Sequence, residues 1–465
     1  MRVFRHYLHF SLLVIAAVEG VAFFAAPYLA ALIRFEEGVQ EAQRQFGPFW
    51  RFGASFAMVA LTGMLATGLY SNRQRAGTMG IGLRLLVASL ATFVVLAVLA
   101  YVFPFLFVGR GLLGLSILVG FTVCAAFRLF LLRIIDEDMF KMRIVMLGAG
   151  RHAVSSLSRL RRRSDRRGFV VVACLRSPND AESSECREKV IPVPSSLREF
   201  CEEHDIDEIV VAMDDRRSGF PAQDLLACRM SGILVNDLQS FLERETGKLR
   251  LDVLNPSWLI FGDGFHRGVL REMSARAFDV IMASLILAIS WPLILLVTLA
   301  IKLEDGLRAP IFYLQTRVGL EGRPFRVIKF RSMNVDAERH GAQWATSGDS
   351  RVTRVGGFIR KARLDELPQI INVLVGDMSL VGPRPERPEF VGQLDKEIPF
   401  YRERHFVKPG ITGWAQLCYP YGASVNDAAE KLQYDLYYVK NRNLLFDLSI
   451  LIQTVEVILW GKGAR

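Results

Sequence analysis

The stretch Leu364-Asp365-Glu366-Leu367-Pro368-Gln369 sets two carboxylates side by side at the start of an amphipathic segment. Apolar residues follow at helical spacing as far as Leu374, which places them on one helix face. Pro368 is compatible with the first turn of a helix, where its missing N–H would have no partner. The pattern therefore predicts a helix that begins near Asp365 and ends at Gly376.

Positive charge surrounds this pair of carboxylates. A helix N-terminus favours negative charge, including that of a bound phosphate, because the peptide dipoles direct their positive ends there. Neighbouring helical side chains diverge by roughly 100°, so one carboxylate can face a reacting phosphorus while the other holds a metal ion. The arginine of Gly382-Pro383-Arg384-Pro385 stands between two prolines, and a guanidinium suits bidentate phosphate binding. The basic residues ahead of the pair are Arg351, Arg354, Arg360, Lys361 and Arg363.

Three ordered motifs favour this chemical interpretation over a structural one, in which Asp365 is an N-cap and the basic residues form a solvated face. The motifs occupy residues 364–369, 376–385 and 408–416. They resemble the bacterial polyprenyl-phosphate hexose-1-phosphate transferases, also called monotopic phosphoglycosyl transferases. The resemblance extends from about Arg271 to the C-terminus, and the upstream parts are similar to those of the family's large members, which include exopolysaccharide sugar transferases.

The resemblance implies roles for individual residues. Asp365 attacks the sugar-linked phosphorus of a UDP-sugar, UMP leaves, and polyprenyl phosphate attacks the covalent aspartyl intermediate. Glu366 holds Mg²⁺, with Asp365 as a further candidate ligand. The expected outcome is the first step of exopolysaccharide or other surface glycan synthesis. The residues expected to bind substrate phosphate are Lys329, Arg331, Arg354, Arg360, Arg384 and Arg404, of which the first two share one face of a predicted strand.

Hydropathy and charge indicate an integral membrane protein, and the resemblance implies that it lies in the bacterial cytoplasmic membrane. Of the 465 residues, 51% are hydrophobic, and they concentrate in segments near 9–33, 50–70, 84–108 and 111–134 that are long enough to cross a bilayer. The Lys/Arg bias of the loops, including Arg73 and Arg75, places the N-terminus, the second loop and the exit of the fourth segment in the cytoplasm. No polar side chain in these segments suggests a transport path, so a scaffold or dimer contact is favoured over a channel.

The formal net charge of +10 is explained by anionic lipid and phosphate substrates, and a nucleic-acid partner is not expected. The basic residues flank membrane segments and the phosphate motifs, which is where such partners would lie. The six cysteines show no C-x-x-C spacing and are interpreted as unpaired thiols in a reducing compartment.

The middle of the chain predicts a short α/β unit with a glycine turn. Residues 142–150 form a buried strand that runs into Gly148-Ala149-Gly150, and Arg151 opens a helix. Position 153 holds Ala where the dinucleotide fingerprint has Gly, and Asp180 is too loosely placed to be assigned as a ribose ligand. The chain contains no Tyr-x-x-x-Lys, the proton-transfer pair of the dehydratases that this unit resembles. A structural or regulatory nucleotide-binding-like fold is therefore expected.

A second type of membrane segment is expected at residues 278–301. Ser290 and Pro292 interrupt this apolar run near its centre, where proline removes a hydrogen bond and Ser can satisfy a freed backbone group. The resemblance implies a re-entrant helix that enters and leaves on the cytoplasmic face; a spanning helix kinked at Pro292 is the alternative. The last apolar segment, 448–460, is short for a span and is interpreted as an interfacial or a buried helix.

The sequence thus predicts a multidomain membrane protein: a four-helix membrane bundle at 1–138, a Rossmann-like domain at 139–255, and a mostly α catalytic domain at 256–465 that faces the cytoplasm. The expected partners are a UDP-sugar, polyprenyl phosphate and inner-leaflet lipid, and a homo-oligomer stays open. One rival is a membrane-attached nucleotide-sugar oxidoreductase that uses the Gly148 turn, against which the missing Tyr-x-x-x-Lys argues. The other is a non-enzymatic scaffold of a polysaccharide export complex, against which the intact Asp365, Glu366 and Arg384 argue.

Overall fold

The computed structural model divides the chain into two units, Met1–Thr246 and Gly247–Arg465. It describes residues 2–3, 6–7, 10–70, 78–134, 141–160, 168–177, 180, 188–215, 219–252, 254, 256–261, 264–265, 268–334, 351–419, 422 and 424–460. The predicted loop charges Arg73 and Arg75 lie outside the described residues.

Long apolar helices dominate the start of the first unit. In order they are α1 (Phe10–Arg34), the short α2 (Val39–Phe46), α3 (Phe49–Ala66), α4 (Thr78–Val102) and α5 (Arg110–Ile134), preceded by two two-residue strands, β1 (Arg2–Val3) and β2 (His6–Tyr7). Four of these helices, together with Val269–Asp305 of the second unit, are the five in the described residues that are long and apolar enough to cross a membrane. The chain is therefore a membrane protein.

The third membrane segment, predicted near 84–108, differs in its bounds from the helix that the structure shows there. Helix α4 begins six residues before the predicted start at position 84 and ends at Val102, ahead of Pro104. Arg84 lies inside the helix because its side chain is buried and donates a hydrogen bond to the carbonyl of Gly68, at 3.4 Å. A charge that hydropathy treats as a boundary is thus accommodated within the helix.

A buried ion pair that the sequence analysis did not identify joins α1 to α5. Glu19 is fully buried, and its two carboxylate oxygens accept from Arg128 Nε at 2.6 Å and Nη2 at 2.9 Å. The Tyr70 hydroxyl and the Cys124 thiol donate to the same carboxylate, and Arg128 Nη1 donates to the carbonyl of Leu69 at 3.0 Å. The described partners of the pair are groups of the protein itself. The pair therefore connects the helices and does not indicate a transport path.

A five-stranded parallel sheet confirms the predicted α/β middle part. Its strands are β3 (Met142–Leu147), β4 (Phe169–Arg176), β5 (Val190–Pro192), β6 (Glu208–Val211) and β7 (Leu234–Asp237), in the order β5-β4-β3-β6-β7. Outward from β3 this is the strand order of a dinucleotide-binding fold. The accompanying helices are α6 (Arg151–Arg159), α7 (Leu197–Glu203), α8 (Ala222–Met230) and α9 (Leu238–Thr246).

The second unit begins nine residues earlier than the predicted boundary at 256. Trp414 Nε1 donates to the carbonyl of Gly247 at 2.8 Å, and Lys248 forms an ion pair with Glu430. Leu249 is fully buried in a cluster with later residues of the unit. These contacts attach residues 247–254 to the C-terminal fold.

Helices make up most of the residues that the structure describes in the second unit, as predicted. They are α10 (Pro256–Phe261), α11 (Val269–Asp305), α12 (Arg354–Lys361), α13 (Gln369–Val375), α14 (Pro388–Glu397), α15 (Trp414–Cys418), α16 (Val425–Asn441) and α17 (Leu444–Trp460). Strands β8 (Phe312–Val318) and β9 (Pro324–Phe330) form an antiparallel hairpin, and β10 (Ser379–Val381) pairs in parallel with β11 (Gly410–Thr412). Short 3₁₀ turns occupy Leu320–Gly322, Leu364–Glu366 and Arg402–Phe406.

Helix α11 is attached to the second unit at both ends. Ala283 packs into one core cluster with α13 and β10, whereas Val297 and Ile301 pack into another with Phe330 and Ile359. The middle of the helix is open, with Ile289 exposed at 72%. The helical hydrogen-bonding pattern continues through Pro292, and the Ser290 hydroxyl has no partner within the described structure, so the predicted rescue of a freed backbone group by Ser290 is wrong.

Helix α17 packs against the fold of the second unit. It begins at Leu444, four residues before the predicted segment, and Ile450 is fully buried in the cluster that includes β10. The hydroxyls of Thr412 and Thr454 lie 2.7 Å apart, which ties the helix to β11. Of the two predicted alternatives, the buried helix matches these contacts.

Candidate active site

The two carboxylates lie on a 3₁₀ turn that precedes α13. Arg363 adopts a left-handed conformation with φ 55°, the turn covers Leu364–Glu366, and Pro368 is the N-cap of a helix that starts at Gln369. The helix therefore begins later than the sequence predicts, because the tight turn comes first. Its predicted end is confirmed: Gly376 has φ 107°, a conformation that favours glycine.

Glu366 is neutralised by two basic residues. Its Oε1 accepts from Arg384 Nη2 at 2.6 Å and from Lys329 Nζ at 3.2 Å, and its Oε2 lies 3.5 Å from Arg384 Nη1. Burial alone would raise the pKa of Glu366, but Arg384 and Lys329 outweigh it and hold that pKa well below its usual range. Glu366 is thus ionised at neutral pH and organises both cations.

Asp365 is placed differently although it is the adjacent residue. Its half-buried side chain makes no hydrogen bond or ion pair with any residue the structure describes. Burial, followed by repulsion from Glu366, raises the pKa of this carboxyl against the opposing effect of Lys329, Arg360 and Arg384. A carboxylate without partners, close to fixed positive charge, is suited to act as a nucleophile.

The environment of Lys329 lowers the pKa of its side chain. Burial lowers the pKa of this ammonium group, Glu366 opposes the shift, and Arg384 and Arg317 add to it. Lys329, Arg384 and Arg317 are close enough to influence one another's charge; Glu366 pairs with the first two and Glu386 with the third. Such a group of cations attracts further negative charge, as a diphosphate would supply.

Two residues that the sequence did not mark hold the site together. Asn372 donates to the carbonyl of Arg326 at 2.8 Å and accepts from the amide of Ile328 at 3.0 Å, which fixes α13 against β9. Arg276 donates to the carbonyls of Val373 and Leu374 at 2.5 and 2.6 Å, at the end of the same helix. A buried Asn in an otherwise apolar helix face is the one sequence signal that pointed to such a role.

The Arg384 loop is supported by a close crossing of backbones. A Cβ on Gly382 would lie 2.4 Å from the carbonyl oxygen of Lys408, and one on Gly410 would lie 2.0 Å from the amide nitrogen of Gly382. Arg317 Nη1 donates to the carbonyl of Pro385 at 3.1 Å. Glycine is required at both crossing positions, and the loop presents the guanidinium of Arg384 from a rigid base.

Arg404 is held by groups of the protein next to Arg384. Its guanidinium is buried and pairs with Asp435 at 2.8 Å, donates to the Tyr401 hydroxyl at 2.8 Å, and donates to the carbonyl of Arg384 at 2.9 Å. These contacts give Arg404 a supporting role under Arg384, and its binding of substrate phosphate stays a prediction.

The other predicted basic residues are distributed around the turn. Arg331 is buried and donates to Asp305 at 2.5 Å, at the end of α11; strand β9 ends at Phe330, so Arg331 does not continue the face of Lys329. Arg360 is half-buried and acts on the charge of Asp365. Arg354 is exposed at the start of α12, where Glu304 caps its backbone amide at 2.8 Å.

The carboxylates offer a minimal oxygen-ligand set for a metal ion. In the part of the chain that the structure describes, no group of three or more His, Cys, Asp or Glu side chains is arranged to hold a metal. Mg²⁺ in phosphate-transfer sites commonly takes one or two carboxylates, with substrate phosphates and waters as the remaining ligands. Glu366 Oε2, whose contact with Arg384 is long, and the Asp365 carboxylate fit that requirement.

Comparison with known proteins gives matches over both units. A family model described as "Bacterial sugar transferase" matches residues 270–461, and one described as "CoA-binding domain" matches residues 65–218.

Three curated relatives illustrate the similarity. The chain is 44% identical to a UDP-N-acetylgalactosamine-undecaprenyl-phosphate N-acetylgalactosaminephosphotransferase of Aeromonas hydrophila, over 54% of this chain and 58% of that protein's length. It is 33% identical to a UDP-glucose:undecaprenyl-phosphate glucose-1-phosphate transferase of Xanthomonas campestris pv. campestris, over 77% of this chain and 75% of that protein. A protein of the same name from Caulobacter vibrioides is 36% identical, over 54% of this chain and 99% of that protein.

Proposed function

The chain belongs to the bacterial sugar transferases, the family of polyprenyl-phosphate sugar-1-phosphate transferases, and we propose on that basis that it transfers a hexose 1-phosphate from a UDP-sugar to polyprenyl phosphate. One observation supports the proposal: among the residues that the structure describes, the Asp365 side chain has no hydrogen-bond or ion-pair partner, while Glu366 beside it holds Lys329 and Arg384 in place. The product would initiate an exopolysaccharide or another surface glycan.

Two displacements at phosphorus account for the reaction. An oxygen of Asp365 forms a bond to the sugar-linked phosphorus of the UDP-sugar, and the bond from that phosphorus to the bridging oxygen breaks, so that UMP leaves with the electron pair. An oxygen of polyprenyl phosphate then attacks the same phosphorus, and the bond to Asp365 breaks. The carboxylate is regenerated and the product is a polyprenyl diphosphate sugar.

Charge neutralisation is the main contribution expected from the surrounding residues. A carboxylate is a weak nucleophile toward an anionic diester, and fixed positive groups in a partly dry site offset the repulsion. Arg384 would receive the phosphate that UMP carries away, since its guanidinium is rigidly presented and can bind two oxygens. Lys329, held at Glu366, would face the transferring phosphoryl group.

Mg²⁺ is proposed as the cofactor, held by Glu366 with Asp365 as the alternative ligand. When bound, the ion would supply further neutralisation of the diphosphate. We expect Glu366→Gln to raise the magnesium concentration that gives half-maximal activity, because an amide oxygen is a weaker ligand than a carboxylate. Glu389→Gln, in the first turn of α14, is the matched control. A magnesium titration that is unchanged in Glu366→Gln would place the metal elsewhere.

The topology of α11 is proposed to be re-entrant, with the catalytic unit facing the cytoplasm. A straight helix of 37 residues would extend about 55 Å. Both of its ends are nevertheless fastened within one unit: Asp279 accepts from the amide of Leu380 at 3.0 Å, and Asp305 pairs with Arg331. A true span would place these two attachments on opposite sides of the bilayer, whereas a bend near Pro292 keeps both on the side where UDP-sugars occur.

Single cysteines test this topology in intact cells, in a background without the native cysteines. Met273→Cys and Leu303→Cys, at exposed positions on the two arms, should both resist a membrane-impermeant thiol reagent until the membrane is opened. Gln43→Cys, at an exposed position of α2 in the connection expected outside the cell, is the positive control and should react at once. Labelling of Leu303→Cys in intact cells would establish a span and contradict the proposal.

Release of UMP is the direct test of the proposed activity. Purified full-length protein, incubated with a panel of UDP-sugars and polyprenyl phosphate, should release UMP from at least one of them and form a lipid-linked phosphosugar. A scaffold protein would release none under these conditions. A nucleotide-sugar oxidoreductase would instead consume a nicotinamide cofactor without releasing UMP.

A further inference from the structure

The glycine turn of the middle sheet is occupied by two carboxylates of the chain itself. Asp214, which follows β6, accepts from the amides of Arg151 at 2.8 Å and His152 at 2.9 Å, the first residues of α6. Asp180, which follows β4, accepts from the amide of Ala149 at 2.8 Å. These are the backbone donors that a dinucleotide-binding fold uses for a pyrophosphate.

The glycines of this turn are explained by the chain's own packing. A Cβ on Gly150 would lie 2.2 Å from Asp214 Oδ2, and one on Gly148, where φ is 123°, would lie 2.6 Å from the backbone of Ala212 and Met213. In a ligand-binding turn the missing side chains leave room for phosphate. Here they leave room for the loop after β6, so Gly-x-Gly is accounted for without a ligand.

Electrostatics oppose a phosphate at the same place. A pyrophosphate would meet Asp180 and Asp214, and displacing them would break their hydrogen bonds to the turn and the further bond from the amide of Ser177 to Asp180, at 2.8 Å. The imidazole of His152 lies beside one of these carboxylates, with Nδ1 3.7 Å from Asp214 Oδ1. The residues present therefore do not fit the coenzyme that the matched domain description implies.

We infer that this turn is a structural clasp that joins the carboxyl ends of β3, β4 and β6, and that it takes neither coenzyme A nor a nicotinamide dinucleotide. The clasp is defined by Asp180 and Asp214 with the amides of residues 149, 151 and 152. Its carboxylates accept the hydrogen bonds that a bound anion accepts in other folds of this type. An oxidoreductase would need a cofactor site at this turn, and the carboxylates occupy it.

Hydrogen exchange of the full-length protein in detergent tests the inference at the turn itself. In the wild type, millimolar coenzyme A, NAD or pyrophosphate should leave exchange of the amides in residues 149–155 unchanged. In Asp214→Ala, the amides of Arg151 and His152 lose their acceptor and should exchange roughly tenfold faster. Pyrophosphate should then slow them again, because it replaces the missing carboxylate. Reading the exchange locally separates this effect from any phosphate bound at the Asp365 site.

Asp224→Ala, which removes an exposed carboxylate from the first turn of α8, is the matched control and should behave as the wild type. Slower exchange in wild-type protein on addition of coenzyme A or NAD would overturn the inference, as would an Asp214→Ala variant whose turn exchanges at the wild-type rate. Should Asp214→Ala not fold, Asp214→Asn retains the shape of the side chain, and the response of the wild type to the nucleotides decides the question alone.

Discussion

Asp365→Asn should abolish transfer, with a loss of at least about 10³-fold, since removal of a nucleophile leaves only binding and charge stabilisation. The amide has the size of the carboxylate but neither its negative charge nor its nucleophilic oxygen. Exchange of labelled UMP into the UDP-sugar, measured without lipid, should be lost to the same extent, because this exchange requires the covalent intermediate. Loss of both activities would identify the residue that attacks.

The fold should survive this substitution, because Asp365 makes no hydrogen bond to the described residues. The thermal midpoint should therefore equal that of the wild type. Asp377→Asn, at an exposed carboxylate just beyond the other end of α13, controls for the change of charge and should retain activity. Exchange at the wild-type rate in Asp365→Asn would remove the residue from the proposed mechanism.

Arg128→Met should destabilise the membrane helices strongly, because it leaves Glu19 buried without its cation. Breaking a buried pair from one side costs about 3–5 kcal/mol, which corresponds to roughly 10²–10³-fold or more in an opening equilibrium. Cys124, buried beside the pair, reports that opening. In a background with Cys124 as the sole thiol, its labelling should accelerate by that factor.

Two variants separate the loss of the buried pair from a simple loss of charge. Glu19→Met combined with Arg128→Met removes both charges and should recover much of the stability. Arg44→Met breaks a pair with Glu37 whose side chains are both more than half exposed, and it should leave the labelling rate nearly unchanged. Equal labelling rates in Arg44→Met and Arg128→Met would show that the buried pair contributes little.

Hydrophobic patterning predicted much of the fold. The presence of the four early membrane segments, the strand that begins at Met142 and the helix end at Gly376 all depend on local sequence, and the structure agrees with them. Local patterning failed at Arg84, where a charge lies inside a helix, and before Gln369, where a 3₁₀ turn precedes the helix. Both differences come from contacts with residues or turns that periodicity does not register.

The sequence predicted the residues that give the candidate site its chemistry, but it did not predict which residues hold them in position. The motifs identified Asp365, Glu366 and Arg384, but a basic residue in a motif can bind a ligand or hold a neighbour, and sequence does not separate the two. Arg404 is the example, because its partner Asp435 is distant in sequence. The pair of Glu19 and Arg128 was missed for the same reason: each residue is unremarkable in its own helix, and only the fold brings them together.

The early start of the second unit determines where the chain can be cut. A protein shortened to begin at position 256 would keep every residue of the candidate site, yet it would lose Leu249 from a buried cluster and the carbonyl of Gly247 that Trp414 binds. Gene fusions or exchanges between relatives made at that point would separate Gly247 and Leu249 from the residues that they contact in the second unit. A junction between Thr246 and Gly247 leaves both pieces with their internal contacts, so this is the position at which the catalytic unit is portable.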